Sequence, residues 1–265
     1  MNKEKKTYIE GIYNYCDRWC ERCRFTSNCY LFTTESRIAS HQILNNGELP
    51  KAEDIFPRLE DNDEDEDNFL FNEDEEEDFF EEDVFSDSDT VDLTSLSDEG
   101  KEAEEEERKF FKDDLTPLEQ FGHDYFLKAH DLIKRLDEKY PSLSVSKETI
   151  TDETLRKLYD NFEVFAWYHT FIYVKLKRAL SGKTDIINED DEEMKEIHAY
   201  DMNGTAKIAT ISIDNSLKAL NELFSILPEF NEEISELLIM LGKLKNLAEE
   251  EFPDCMKFRR AGLDD

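Results

Sequence analysis

The chain has 265 residues, 38% of them hydrophobic and 37% charged, and a net charge of −34. That length suits one large or two small domains, and so acidic a surface repels phosphate backbones, which argues against nucleic acid as a partner. No run reaches the about eighteen apolar residues of a membrane span, and no apolar segment follows the opening Met-Asn-Lys-Glu-Lys-Lys as in a secretory signal, so a cytoplasmic setting without membrane association is expected.

The charge is uneven. Residues 1–51 carry a net +2, residues 52–107 a net −26 and residues 108–265 a net −10. These blocks set the expected organisation: a small N-terminal four-cysteine metal-binding module at 1–51, an acidic linker at 52–107, and a helical bundle domain at 108–265. The expected fold class is all-α.

The first block holds Cys16, Cys20, Cys23 and Cys29, spaced C-x3-C-x2-C-x5-C, with weak helical signals on either side. Thiolates this close in sequence can surround one metal centre with little loop-closure cost. A reducing compartment leaves them as thiols or ligands instead of disulfides. Structural zinc usually takes two C-x2-C-like pairs set well apart, and only Cys20/Cys23 forms one. A compact run suits an iron–sulfur cluster. Both centres, Zn(2+) and iron–sulfur, stay open. Arg18, Arg22 and Arg24 sit among the ligands and would offset the excess negative charge of a four-thiolate centre. Tyr13, Tyr15, Trp19, Phe25, Tyr30 and Phe32 would wall it from water or form the module's small core. Cys255 stands alone and reads as a plain thiol.

The stretch Cys16–Cys23 resembles the C-x3-C-x2-C cluster motif of radical S-adenosylmethionine enzymes. That resemblance implies a large α/β barrel and an iron left open by three cysteines. Here Cys29 supplies a fourth thiol and residues 108–265 read as helical, so no residue role carries over.

The acidic block includes the runs 61–67 and 73–78, whose like charges predict an extended or disordered spacer. Aromatics punctuate it at Phe69, Phe71, Phe79, Phe80 and Phe85, a pattern that can also dock on a basic or apolar surface.

Four helices follow. The first starts at a capping box, Thr116-Pro-Leu-Glu119, and runs to about Tyr140. The second spans about Asp152 to Leu180, with Leu158, Phe162, Phe165, His169, Ile172 and Leu176 on one face and Gly182 as its stop. The third spans about Asp190 to Leu227. The fourth spans about Asn231 to Glu250, with Ile234, Leu238, Leu241, Leu244 and Leu247 inward. Long amphipathic helices with short connections predict an antiparallel four-helix bundle. The Gly204, Ala206 and Ala209 stretch predicts tight packing against the third helix, with a pocket at Gly204 as the alternative.

Bundles can hold di-metal sites built on Glu-x-x-His pairs, and that spacing is absent. A looser second metal set is Glu119, His123, His130, His169, His198 and Asp201. Its plain alternative is hydrogen-bonded core polar groups and solvated histidines. A buried Asp201 needs a partner, for which a histidine or a metal would serve.

No P-loop, dinucleotide fingerprint, nucleophile elbow or His-Glu-x-x-His signature occurs. The expected function is therefore a metal-binding protein with an interaction or regulatory role and a protein partner, a basic one being an option. The alternative is an iron–sulfur redox protein, an electron carrier or sensor, with a second metal in the bundle.

Overall fold

A computed structural model describes residues 7–51, 115–140 and 152–264. The acidic block, with its spacer and docking readings, lies outside the described residues. Among the described residues there are five α-helices and no strand: α1 Tyr30–Leu44, α2 Pro117–Lys139, α3 Glu153–Asn188, α4 Glu192–Ile226 and α5 Asn231–Glu251. The all-helical expectation holds for the described residues, and α2 to α5 pack as a bundle. No helix among the described residues is long and apolar enough to cross a membrane.

Each start has a local cause. Thr116 caps α2 by accepting the Glu119 amide at 3.2 Å, with Pro117 in the first turn. The Glu119 carboxylate lies 3.9 Å from the Lys177 ammonium of α3. Asp152 caps α3 and Asp191 caps α4. Gly182 does not stop α3, which runs on to Asn188. A Cβ at Gly182 would sit 3.3 Å from Met202 Cβ, so the glycine instead lets α3 and α4 approach closely.

Four interfaces link α2 to α3, α3 to α4, α4 to α5 and α5 to α2. Their contacts run antiparallel. Tyr168 meets Asn215 and Arg178 meets Asp201 across α3 and α4. Arg135 pairs with Glu233 and Lys139 with Glu229 across α2 and α5. Tyr125, Phe165, Ile172, Ile213, Leu220 and Leu241 are fully buried between them. The buried face of α3 is the expected one except at His169, which is half-buried while its neighbour Tyr168 is buried.

One compact unit contains the described residues up to Glu35 together with those from Leu115 onward. The described residues from Ser36 to Lys51 belong to a second unit. They hold the end of α1 and a turn through Asn46 and Gly47, both in the left-handed region.

Within the first unit the middle of α4 is wrapped on every side. The seven consecutive residues from Gly204 to Thr210 are all buried, including Lys207. A helix covered only by its bundle neighbours keeps a solvent face. Here the outer face is covered by Tyr15, from the cysteine segment, and by Phe258, beyond α5. Tyr15 Cδ1 and Phe258 Cζ lie 2.5 Å and 2.9 Å from where a Gly204 Cβ would stand. Tight packing at Gly204 is thus made by two aromatic rings and not by another helix.

This gives a contrast in sign. Gly204→Ala should destabilise the fold by about 1–3 kcal/mol through overpacking, despite alanine's better helix propensity. Gly242→Ala, where a Cβ meets nothing within 4 Å, should stabilise α5 by about 0.5–1 kcal/mol. Urea unfolding of both variants checks the pair; two shifts of the same sign would refute the packing described.

Candidate metal centre

The cysteine segment is a chain of tight turns. Two single turns of 3-10 helix, Cys20–Arg22 and Thr26–Asn28, alternate with extended residues. Gly11 and Arg18 take positive φ, at 68° and 57°. The Ile9 amide donates to Asn28 O at 3.0 Å and closes the segment on itself. As a result Cys16, Cys20, Cys23 and Cys29 all line one cavity of about 30 Å³, walled by Ile12, Trp19, Phe25 and Leu263 among others.

Two backbone amides point at sulfur. Phe25 N–H donates to Cys23 Sγ and Phe32 N–H to Cys29 Sγ, each at 3.4 Å. Cys16 instead points its thiol at Tyr13 O, 3.6 Å away. Burial pushes the thiols of Cys16 and Cys20 above the ordinary cysteine value. The donor set is four soft sulfurs in an apolar wall, which is the chemistry of a tetrathiolate centre. Among the described residues, however, no three His, Cys, Asp or Glu side chains form a group that could hold a metal ion. The thiols share a cavity without being drawn to ligand distance. Cys255 lies elsewhere, buried behind α4 and α5.

The segment is bonded to α3. The indole of Trp19 stacks on that of Trp167, with ring centres 5.1 Å apart and planes 13° apart. Trp167 Nε1 donates to Asp17 O at 3.1 Å, and the Tyr168 hydroxyl donates to the Asp17 carboxylate at 2.6 Å. The same carboxylate accepts the Trp19 amide at 3.2 Å. Burial, and then this bond to Asp17, push the Tyr168 phenol far above its ordinary value. The Arg22 guanidinium lies 4.2 Å above the Trp19 ring and pairs with Glu163 and Asp160. Asp160, Glu163, Trp167 and Arg178 are spaced three, four and eleven apart, so they form a second stripe of α3 that faces the cysteine segment.

The arginines expected to offset the charge of a metal centre are partly committed elsewhere. Arg18 pairs with Glu35 at 2.7 Å, Arg22 with the acids of α3, and Arg24 lies 4.6 Å from the Phe25 ring. Lys175 of α3 is a cation that sequence reasoning missed. It is half-buried 5.2 Å from the Phe171 ring; burial lowers its ammonium pKa, with Arg178 acting the same way, while nearby Cys16 acts in the opposite direction. Trp167, Tyr168 and Leu263 were missed as well. The one sequence signal was that Trp19 and Trp167 are the chain's two tryptophans.

The looser histidine and carboxylate set divides. Of the residues on α2, His130 meets His169 of α3, while His123 meets Tyr173 and Glu119 lies near Lys177. The Phe126 and His130 rings both stack on His169, at 5.8 and 5.7 Å, and His123 packs on Tyr173 at 5.5 Å. His169 is satisfied locally by Ala166 O at 2.5 Å and Thr170 Oγ1 at 3.0 Å, and burial lowers its pKa. His198 lies 3.8 Å from Glu189. The side-chain partners of Asp201 are an arginine and a tyrosine. Arg178 donates to both of its oxygens, at 3.1 and 3.3 Å, and the Tyr15 hydroxyl donates to it at 3.3 Å. Burial, with Asp201 beside it, holds the Tyr15 phenol up to about 12.

Comparison with known protein families, curated proteins and solved structures finds no match for this chain.

Asp17 carries both the turn and the bond to α3, so Asp17→Ala should lower stability by about 1–3 kcal/mol by stranding the Tyr168 hydroxyl. It should also red-shift tryptophan emission, because both indoles sit in the stack it holds. Unaltered emission and an unaltered denaturation midpoint would contradict the docking described.

Proposed function

We propose that this is a metal-binding protein, without catalytic machinery of its own, that serves an interaction or regulatory role in a reducing, cytoplasmic setting. The observation that carries this reading is the convergence of Cys16, Cys20, Cys23 and Cys29 on one small apolar-walled cavity, with amides aimed at two of the sulfurs. In this reading residues 1–51 form the metal module, 52–107 an acidic spacer, and 108–265 an antiparallel four-helix bundle on which the module docks. A bound zinc would supply cross-linking of the turns; the four cysteines would hold it, and the aromatic wall would keep water out. The acidic charge suits a basic protein partner and disfavours nucleic acid.

A second reading has its own support. An iron–sulfur cluster in the same four cysteines would make the protein an electron carrier or sensor. The Trp19/Trp167 stack favours it, because it leads from the cavity wall to an indole that is 36% exposed. The histidine set of α2 and α3 would then be searched for a second metal.

Anaerobic purification followed by analysis for zinc, iron and sulfide tests both. One zinc per chain supports the first reading, and about four irons with matching sulfide supports the second. Metal-free protein from metal-replete cells would overturn the metal site itself. Cys20→Ser should weaken metal affinity by at least about tenfold.

The pH dependence follows from the thiols. Burial raises the pKa of Cys16 and Cys20 above the free value, so they hold protons that a metal must displace. Affinity should therefore rise with pH between about 6 and 9, with proton release on binding. Affinity that is flat or falls across that range would exclude thiolate ligation.

A further inference from the structure

The chain beyond α5 does not trail away. It returns across the outer face of α4 and reaches the cysteine cavity, where Leu263 forms part of the wall. Gly262, with φ of 69°, seats this turn against the N-terminal segment so closely that a Cβ would stand 2.8 Å from Ile9. Phe258 packs edge-on against Tyr15 and Tyr200, with ring centres 4.7 Å away in both cases.

A charged cluster holds the turn in shape. Lys207 of α4 is only 7% exposed, and its ammonium donates to Phe258 O at 2.5 Å and to the Asp264 carboxylate at 2.6 Å. The Arg260 amide donates to the same carboxylate at 3.0 Å, and its guanidinium forks onto it at 3.0 and 2.7 Å. A lysine this desolvated persists only where its protons are satisfied, and here both of its partners belong to the C-terminal turn.

We infer that the turn from Phe258 to Asp264 closes the cysteine cavity, and that Lys207 is the positioning residue that holds Leu263 over the thiols. The consequence for metal retention rests on the reading of the four thiols as a metal site; the closure itself does not. The cysteine centre is then assembled from both ends of the described chain, and release of the turn opens it without unfolding the bundle.

Site-resolved alkylation of the reduced, metal-free full chain by iodoacetamide tests the closure. Leu263→Ser removes the wall and keeps the cluster; Lys207→Met removes the cluster. In both, labelling of Cys16, Cys20, Cys23 and Cys29 should quicken by about tenfold, the scale of a local opening. In Leu263→Ser the buried Cys255 should keep its slow rate. Lys207→Arg, which retains the charge and donors, should restore most of the protection. Unchanged rates at the four cysteines in a folded Leu263→Ser chain would overturn the closure. If Lys207→Met also exposes Cys255, Asp264→Asn decides the role of the cluster: wild-type protection of the four cysteines there would overturn it. Transfer of metal to a chelator from the loaded protein should quicken in the same order. A wild-type chain that takes up no metal would defeat the metal reading and leave the labelling comparison intact.

Discussion

The stacking of Trp19 on Trp167, locked by the two hydrogen bonds that α3 sends to Asp17, is the contact on which the rest of the molecule depends. A segment as short as the cysteine turns buries too little apolar surface to hold itself together. Seated on α3, it borrows the rigidity of the bundle, and its backbone can keep a tight path past Arg18 at positive φ. The same seating brings Tyr15 onto Gly204 and leaves a shelf on which the C-terminal turn lies.

The thiols gain a particular chemistry from that placement. Turns alone would leave four cysteines in water, each an ordinary thiol. Against α3 and under Leu263 they share an apolar cavity, where burial raises the pKa of Cys16 and Cys20. In the proposed reading a soft cation would displace those protons, and the four sulfurs would share its charge. Cations nearby are partly spent: Arg18 and Arg22 face carboxylates, and Lys175 is a half-buried cation close enough to feel Cys16.

Much of the helical architecture was legible because its signals are local. The Thr116 cap, the apolar stripe from Leu158 to Leu176 and the span of the fourth helix from Asn231 to about Glu250 each follow from spacing within one element. The co-location of the four cysteines was legible for the same reason. What escaped was anything that needed a second face. Trp167, Lys175 and Arg178 lie on a mixed polar and aromatic stripe of α3, which no search for one apolar period would select. Gly182 reads as a stop in sequence, but the nearness of Met202, twenty residues away, decides its use. Asp201 advertised the need for a partner, yet Tyr15 and Arg178 come to it from separate segments. Lys207 in an otherwise small and apolar run gave no hint that the far end of the chain returns to pair with it.

The central claim is that the four thiols act as one ligand set. Cobalt(II) titration of the reduced, metal-free chain tests it most directly, because tetrahedral thiolate ligation produces intense visible and near-ultraviolet bands. The account expects those bands to saturate at one cobalt per chain, with tryptophan emission changing in step as the indole beside the cavity responds. Weak bands typical of oxygen ligation, or a titration that Cys20→Ser leaves unaltered, would contradict it.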